Sequence, residues 1–417
     1  MYIPEEVGEA GLQAFLERAY AEVPAVRRLF DGAGVLVSGP ESPAAVLRRM
    51  PVTSKDELRE QQRQRPPFGE WVRQDLKGTA RVFVSPGPIY NVEANRADDW
   101  GAEEALRAAG FGPGDLVINT FTYHLSPAAF IVEAGLRAIG ATVIPAGTGA
   151  KADQVRLLRH LPVTGFAGVP SYMKALLDEV AADGQTGGAG PPGLPLRRAW
   201  FAAERLPEEL RQHLREAWGI ESFQGYGTAE LGIVGYECPE RHGMHLGSQV
   251  VVELLDPSTR QPVADGEVGE VVVTALRPAY PLIRLATGDL SRLVTQPCAC
   301  GRRSPRLVGV LGRVGSGVKV RGMFVYPHQV EGLARHVPGV ARVAARVGRV
   351  EFRDTLTVEV ELTAGAAAER RAGGASKVEE AVARVAREQL RVRPDVVRIV
   401  EPGSLSGRPV LADDRER

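Results

Sequence analysis

The run Asp115-Leu116-Val117-Ile118-Asn119-Thr120-Phe121 is the first of three short apolar segments that decide the fold class. The second is residues 141–145 and the third is residues 164–169. Stretches of helical character separate them, at 127–139 and 152–160. Short strands that alternate with helices of about a dozen residues are typical of a parallel sheet. The segment therefore predicts an α/β domain.

The character of the sequence changes after residue 220. Runs rich in β-forming residues lie at 249–255, 268–274 and 289–294, with turn residues between them. This pattern favours short antiparallel strands. We therefore expect a smaller β subdomain to follow the parallel part of the fold.

A third region begins near residue 313. Strand-like segments there surround a predicted helix at 327–336, which indicates a small α+β unit. We predict an N-terminal domain at 1–312, which contains the β subdomain at about 232–312, and a C-terminal cap domain at 313–417.

Composition excludes several classes of protein. The 417 residues contain 51 basic and 51 acidic residues, so the net charge is zero, which argues against nucleic acid as the main partner. The longest uncharged stretch, 116–132, is shorter than the ~20 residues of a membrane span. The N-terminus lacks the apolar core of a signal peptide. We expect a cytoplasmic protein with no membrane partner.

The hexad Gly225-Tyr226-Gly227-Thr228-Ala229-Glu230 is a candidate ligand site. Its glycines allow a backbone to approach a ligand closely. Tyr226 offers a flat face to a base, Thr228 a hydroxyl to a phosphate, and Glu230 a carboxylate to Mg²⁺. An ordinary glycine-rich turn is the alternative interpretation of the hexad taken alone.

Two further motifs follow the hexad. The first is Arg284-Leu285-Ala286-Thr287-Gly288-Asp289, where a turn after a strand places a carboxylate that suits the two hydroxyls of a ribose. The second combines Gly312-Arg313 with Lys319-Val320-Arg321-Gly322, at a junction that suits a hinge. Taken alone, an Asx-turn and a basic linker are the alternatives.

In this order and at these separations, the three motifs resemble those of the adenylate-forming enzymes, and most nearly the phenylacetate–coenzyme A ligases. The similarity extends over nearly the whole chain. The other stretches that carry it are Pro51-Val52-Thr53-Ser54-Lys55, Gly110-Phe111-Gly112-Pro113-Gly114-Asp115, Gly140-Ala141-Thr142-Val143-Ile144-Pro145, Val169-Pro170-Ser171-Tyr172 and Ala202-Ala203-Glu204.

The resemblance implies a two-step ligase. A small carboxylic acid, an aryl acid such as phenylacetate in this branch, attacks the α-phosphate of ATP with Mg²⁺ and gives an acyl-adenylate. The mobile C-terminal domain then rotates, and the thiol of coenzyme A attacks the adenylate. A homodimer is common in the family.

The resemblance also assigns residues to the nucleotide. Thr228 contacts the α-phosphate and Asp289 binds the ribose hydroxyls. The full set is Ser85, Gly87, Ala203, Glu204, Tyr226, Gly227, Thr228, Asp289 and Arg313.

Catalysis and acyl binding are assigned by the same resemblance. Glu230 holds Mg²⁺, and Lys319 arrives with the C-terminal domain for the second step. Arg408 stands where the family carries a lysine that serves adenylation. Tyr123 and His124 lie near the acyl pocket; a satisfied core or surface histidine is the alternative for His124.

Cys238 lies close to His242 and His245 in the sequence, and Cys298-Ala299-Cys300 follows about fifty residues later. Cys238, Cys298, Cys300 and one imidazole form a tetrahedral set for structural Zn²⁺ with no open position for a catalytic water. The family contains members with such a set. His245 is the expected fourth ligand and His242 its rival. Free buried cysteines are the alternative.

Two departures from the family affect the pyrophosphate side. The stretch Ser85-Pro86-Gly87-Pro88-Ile89-Tyr90-Asn91 replaces a loop rich in serine, threonine and glycine, and its prolines remove two N–H donors. No lysine follows Lys377, and the planar fork of Arg408 is not equivalent to an ammonium. Two hypotheses follow: a working acid–CoA ligase, or a repurposed member that uses an adenylate without making it or has a non-CoA acceptor.

Overall fold

The computed structural model describes residues 1–73, 76–85, 88–182, 193–315, 317–321, 323–350, 353–371, 376–390 and 392–415. The chain forms two compact units, Met1–Gly309 and Val310–Arg417. Among the described helices, none is both long enough and apolar enough to cross a membrane.

The first unit contains both helices and strands throughout its length. Its described helices are α1 Gly8–Glu22, α2 Pro24–Ala33, α3 Pro43–Arg49, α4 Lys55–Gln64, α5 Ala102–Ala108, α6 Ala128–Ala138, α7 Lys151–His160, α8 Pro170–Ala182 and α9 Glu208–Trp218. Its described strands are β1 Thr79–Ser85, β2 Ile89–Ala94, β3 Leu116–Asn119, β4 Thr142–Pro145, β5 Gly165–Gly168, β6 Arg198–Phe201, β7 Glu221–Thr228, β8 Gly232–Glu237, β9 Met244–Leu246, β10 Val250–Leu255, β11 Val268–Ala275, β12 Leu285–Val294 and β13 Arg306–Leu307.

One continuous sheet organises this unit, in the order β10-β11-β12-β13-β9-β8-β7-β6-β5-β3-β4. Strands β3 to β7 pair in parallel, and β7 pairs with β8 in the antiparallel sense. The strands of this unit that follow β7 pair in the antiparallel sense, as expected, but they extend the parallel sheet instead of forming a sheet of their own. Strands β1 and β2 form a separate hairpin.

The inner parallel strands β3, β5 and β6 are buried on both faces, which explains why their sequences are largely apolar. Val117 and Trp200 pack with helices α5 and α6 on one face. Their chain neighbours Ile118 and Phe201 pack with α7, α8 and α9 on the other. The α/β prediction is confirmed.

The second unit has its own apolar core, in which Val330, Leu333, Val358 and Val382 are fully buried. Its main sheet has the order β19-β18-β17-β20, and β15 and β16 form a hairpin. The described elements are β14 Gly312–Arg313, β15 Val318–Val320, β16 Met323–Val325, α10 Pro327–His336, β17 Val340–Val350, β18 Arg353–Leu362, α11 Ala364–Arg371, α12 Ser376–Gln389, β19 Val396–Val400 and β20 Leu411–Asp413. This is the α+β unit that the sequence predicts.

Candidate nucleotide site and candidate metal centre

The glycine-rich hexad lies where the sheet changes from parallel to antiparallel. Gly225 to Thr228 form the carboxyl end of β7, and Glu230 lies in the turn before β8. Ligands of α/β proteins bind outside the carboxyl ends of parallel strands. The position of the hexad therefore suits a ligand site.

Packing within the protein requires the two glycines of β7. A Cβ at Gly225 would lie 2.2 Å from the indole of Trp200, and a Cβ at Gly227 would lie 2.2 Å from the carbonyl oxygen of Gly232. Both distances are far below a normal carbon contact. The sequence suggested close approach of a ligand, whereas the structure gives close approach of the protein itself as the reason.

The first two motifs meet through a hydrogen bond between Tyr226 and Asp289. The Tyr226 hydroxyl donates to Asp289 Oδ2 at 3.0 Å. Asp289 was expected in a turn, but it lies within β12, at an irregularity where Ala286 and Leu290 pair with residues only two apart on β11. Its N–H donates to Thr287 Oγ1 at 3.0 Å. The irregularity therefore fixes the backbone from which the Asp289 carboxylate projects.

Glu230 is a buried carboxylate, 2% exposed, at which three segments of the chain converge. Lys55 Nζ lies 3.0 Å from its Oε2, and the Ser85 hydroxyl donates to its Oε1 at 2.9 Å. Burial alone would raise the pKa of Glu230. The Lys55 ammonium, together with hydrogen bonds from Ser85 and Thr228, lowers that pKa below its ordinary value instead. Glu230 is therefore an ionised group inside the protein.

Lys55 is held in place by the backbone around it. It is the first residue of α4, which Ser54 and Glu57 begin with a capping box. Thr53 N–H donates to the carbonyl of Arg284 at 3.0 Å, and Ala286 N–H donates to the carbonyl of Thr53 at 2.8 Å. The strand that carries Asp289 thus also positions the start of α4.

Arg277 fixes the backbone of the Glu230 turn. Its guanidinium is fully buried, forms an ion pair with Asp99 at 2.8 Å and lies 3.5 Å from the ring centre of Trp100. It also donates to the carbonyl of Glu230 at 3.1 Å. The roles of Arg277 and Lys55 could not be predicted from the sequence, because each residue lies far from Glu230 along the chain and no local pattern links them to it.

The counterpart of the phosphate loop is anchored to α4. Gln62 Nε2 donates to the carbonyl of Tyr90 at 2.8 Å, and the Tyr90 N–H donates to Gln62 Oε1 at 2.8 Å. The hydroxyl of Tyr280 donates to the same carbonyl at 3.1 Å. Ser85 ends β1 and contacts Glu230. Gly87 lies outside the described residues.

Ala203 and Glu204 follow β6, beside the end of β7. Ala203 has a φ of 66°, a left-handed conformation that costs a residue with a Cβ about 1 kcal/mol or more. Glu204 accepts a hydrogen bond from the Ser171 hydroxyl at 2.6 Å, and its carbonyl accepts one from Gln224 of β7 at 3.5 Å. Both are exposed, so this corner is open to solvent.

The two residues assigned to the acyl pocket differ in environment. The Tyr123 hydroxyl donates to Glu133 at 2.9 Å and accepts from Asn119 at 3.0 Å. Burial and the Glu133 carboxylate raise the pKa of Tyr123 well above its usual range. His124 is exposed.

Three assigned residues belong to the second unit. Arg313 is an exposed residue of β14. Lys319 pairs with Phe324 in the β15–β16 hairpin, and its side chain lies outside the described part of the protein. Arg408 precedes β20, with its guanidinium 3.9 Å from the Glu359 carboxylate of β18.

The three cysteines and one histidine form a single cluster in the first unit. Cys238 follows β8, His245 lies in β9, and Cys298 and Cys300 follow β12. Their four ligand atoms all lie within 4.8 Å of one another. His242 is not a member of this cluster.

The geometry of this Cys–His cluster fits a tetrahedral ion. The sulfurs of Cys238 and Cys298 are 3.7 Å apart, and the Cys300 sulfur is 3.3 Å from His245 Nε2. A regular tetrahedron of zinc–sulfur bonds has edges of about 3.8 Å. Ser304 provides a carbonyl 3.0 Å from His245 Nδ1, the outer contact typical of a metal-bound imidazole.

The protonation of the cluster differs between its imidazole and its most buried thiol. Burial lowers the pKa of His245, which keeps the imidazole in its neutral, ligating form. Burial raises the pKa of Cys238 to about 11. A divalent cation would reverse the effect on the thiol, because coordination favours the thiolate.

Known families match both units. The profile of the AMP-binding enzyme family matches residues 94–275, and that of the AMP-binding enzyme C-terminal domain matches residues 322–409. An open conformation of 2-hydroxyisobutyryl-CoA ligase, solved in complex with 2-HIB-AMP and CoA, aligns with a TM-score of 0.82 and 25% identity over 99% of this chain and 92% of that chain.

Two curated relatives are similar over most of their length. The chain is 32% identical to the phenylacetate–coenzyme A ligase of Thermus thermophilus, over 80% of this chain and 75% of the relative. It is 31% identical to the phenylacetate–coenzyme A ligase of Escherichia coli (strain K12), over 83% and 80% respectively. The chain therefore belongs to the phenylacetate–coenzyme A ligase family of AMP-binding enzymes.

Proposed function

We propose that this protein is an ATP-dependent acid–CoA ligase that acts through an acyl-adenylate. The observation that carries the proposal is the joint position of Glu230 and the Tyr226–Asp289 pair around the end of β7. One carboxylate is buried and ionised, and the other is partly exposed on β12. A nucleotide needs both: a hard oxygen ligand for its metal and an acceptor for its ribose hydroxyls.

In the first step, a carboxylate oxygen of the acid attacks the α-phosphorus of ATP, and pyrophosphate leaves. Asp289 would accept hydrogen bonds from the ribose, and Thr228 would donate to an α-phosphate oxygen. Glu230 would hold Mg²⁺, which when bound neutralises the charge that develops on the phosphates. Fixed donors and charges of this kind stabilise the transition state without reorganisation.

In the second step, the coenzyme A thiol attacks the acyl carbonyl, and AMP leaves. Lys319 is proposed to act in this step, and Arg408 in adenylation. Tyr123 and His124 are proposed to border the acid. The residues that complete the proposed nucleotide set are Ser85, Gly87, Ala203, Glu204, Gly227 and Arg313.

We also propose that the Cys–His cluster holds a structural Zn²⁺. Three thiolates and an imidazole are the soft and borderline ligands that zinc prefers, and Mg²⁺ prefers oxygen. With four protein ligands, the ion would link β8 and β9 to the segment after β12.

The test is pyrophosphate release from ATP and Mg²⁺ over a panel of acids, followed by mass detection of the CoA ester. The panel includes phenylacetate and 2-hydroxyisobutyrate, because the names of the relatives contain these acyl groups. We expect acid-dependent release and a CoA ester for at least one acid. Binding of AMP without release for any acid would contradict the ligase and favour a repurposed protein. Release without a CoA ester would indicate another acceptor.

A further inference from the structure

Lys55 occupies the place on Glu230 where the proposed function puts a metal ion. Its ammonium is 3.0 Å from Glu230 Oε2, an atom that is buried and has no other hydrogen-bond partner among the described residues. The ammonium is therefore what balances the charge of this oxygen. The inference that follows rests on the proposed role of Glu230.

The ammonium is placed by the fold. Lys55 starts α4, and both backbone hydrogen bonds of Thr53 tie the preceding residues to β12. Its side chain is 30% exposed, compared with 3% for that of Glu230, so the pair lies at a boundary between protein and solvent. A cation that enters from solvent would meet the ammonium first.

In the described part of the chain, the other groups near Glu230 do not supply the balancing charge. The buried Arg277 donates to the backbone carbonyl of Glu230, and its own charge is paired with Asp99. Ser85 contacts the opposite carboxylate oxygen as a neutral donor. A buried carboxylate without a cation is costly, and two cations on one oxygen repel each other strongly.

We propose that Lys55 is the resident counter-ion of Glu230 and that Mg²⁺ must displace it. In the nucleotide-free protein the ammonium pairs with Glu230 Oε2 and closes this oxygen to free Mg²⁺. Magnesium then gains access only as a complex with the nucleotide, whose phosphate oxygens supply the anionic ligands that hydrated Mg²⁺ lacks. Lys55 is a positioning residue in this account.

The experiment measures the thermal unfolding midpoint of the full chain with and without millimolar Mg²⁺, in the absence of nucleotide. Mg²⁺ is expected to leave the wild-type midpoint unchanged. Lys55→Met should lower the midpoint by about 5 °C, and Mg²⁺ should restore much of that loss by replacing the ammonium. The double variant K55M/E230Q should show no restoration, and Lys174→Met, which removes an exposed pair with Asp178, should behave like the wild type.

A midpoint of Lys55→Met that does not respond to Mg²⁺ would overturn the inference, as would equal stabilisation of the wild type. If Lys55→Met does not fold, Lys55→Gln is judged by the same criterion. Nucleotide is absent from the assay, so failure of the proposed ligase activity leaves this result unaffected. If Mg²⁺ restores the unfolding midpoint of Lys55→Met but the protein makes no acyl-adenylate, the counter-ion role of Lys55 stands and the proposed ligase function is rejected.

Discussion

Two sites in the first unit are suited to binding a cation. They differ in the ligand atoms that they offer and in whether a charged side chain already occupies the site. Glu230 offers hard oxygen and carries an internal cation, Lys55, at 3.0 Å. The Cys–His cluster offers a complete set of soft sulfur and nitrogen ligands within 4.8 Å of one another, with the Arg302 guanidinium beside Cys300. An internal counter-ion suits a metal that arrives and leaves with a ligand. A complete ligand set suits a metal that stays.

The two places also differ in the segments that they connect. Lys55, Ser85 and Glu230 bring together α4, β1 and the β7–β8 turn through side chains alone. The cluster closes the segment around residues 298–300 against β8 and β9. We therefore expect loss of the cluster to affect folding first, and loss of the Glu230 contacts to affect chemistry first.

The largest expected effect is on stability, at the cluster. His245→Ala should lose the bound zinc and lower the unfolding midpoint by about 10 °C, because binding energy of a structural ion contributes directly to folding. His242→Ala is the matched control, since His242 lies outside the cluster. Metal content by elemental analysis, together with thermal unfolding, tests the comparison. Equal zinc and equal midpoints in both variants would contradict it.

The next effect concerns Asp289, a carboxylate that accepts from the Tyr226 hydroxyl. Asp289→Asn should weaken AMP binding about tenfold to a hundredfold, because it removes a charged acceptor from the proposed ribose contact. Isothermal titration with AMP measures this loss. Asp265→Asn, in an exposed segment, should bind AMP as the wild type does.

A smaller effect is expected in the second unit. Arg408→Ala should slow adenylation about tenfold and leave CoA-ester formation from a supplied acyl-adenylate unchanged, because Arg408 is assigned to the first step only. Arg398→Ala, an exposed arginine of β19, is the control. Arg408→Lys should also change the adenylation rate. No change in either Arg408 variant would remove Arg408 from the lysine position of the family.

The smallest effect is the acid response of Glu230. The pKa of Glu230 is lowered in the folded protein, whereas a glutamate in an unfolded chain has a pKa of about 4.3. The ionised form of Glu230 therefore stabilises the fold fully above that pH. That contribution is lost as the pH falls through the lowered folded pKa. Chemical denaturation of the wild type between pH 7 and pH 3.5 should show a loss of unfolding free energy that Glu230→Gln lacks. Identical profiles would contradict an ionised Glu230; Glu209→Gln, in α9, is the control.

The sequence predicted the fold well where local pattern determines structure. The apolar run at 115–121 and its successors indicated the parallel strands, because strands buried on both faces are continuously apolar. The helix at 327–336 was predicted at the bounds that the structure gives. The continuity of the sheet across β7 was not predicted, because strand pairing depends on partners that no local pattern identifies.

Sequence motifs selected the residues of the candidate site, but they did not predict the contacts between those residues. Tyr226, Glu230 and Asp289 were assigned by motif, and their mutual arrangement required the fold. Lys55 belonged to a recognised stretch, yet its pairing with Glu230 joins positions that are far apart in the sequence. The packing constraint that requires glycine at position 225 could not be predicted either, because it depends on Trp200 of the neighbouring strand.

The proposed first step is the formation of an acyl-adenylate with Glu230 as the metal-binding carboxylate. Its most direct test is to mix protein, Mg²⁺, ATP and an accepted acid without coenzyme A, quench, and quantify acyl-AMP by mass spectrometry. The wild type should accumulate close to one acyl-AMP per chain, and Glu230→Gln should form it at about 1% of the wild-type rate or less. Acyl-AMP formed equally fast by both proteins, or by neither with any acid, would contradict the proposed step.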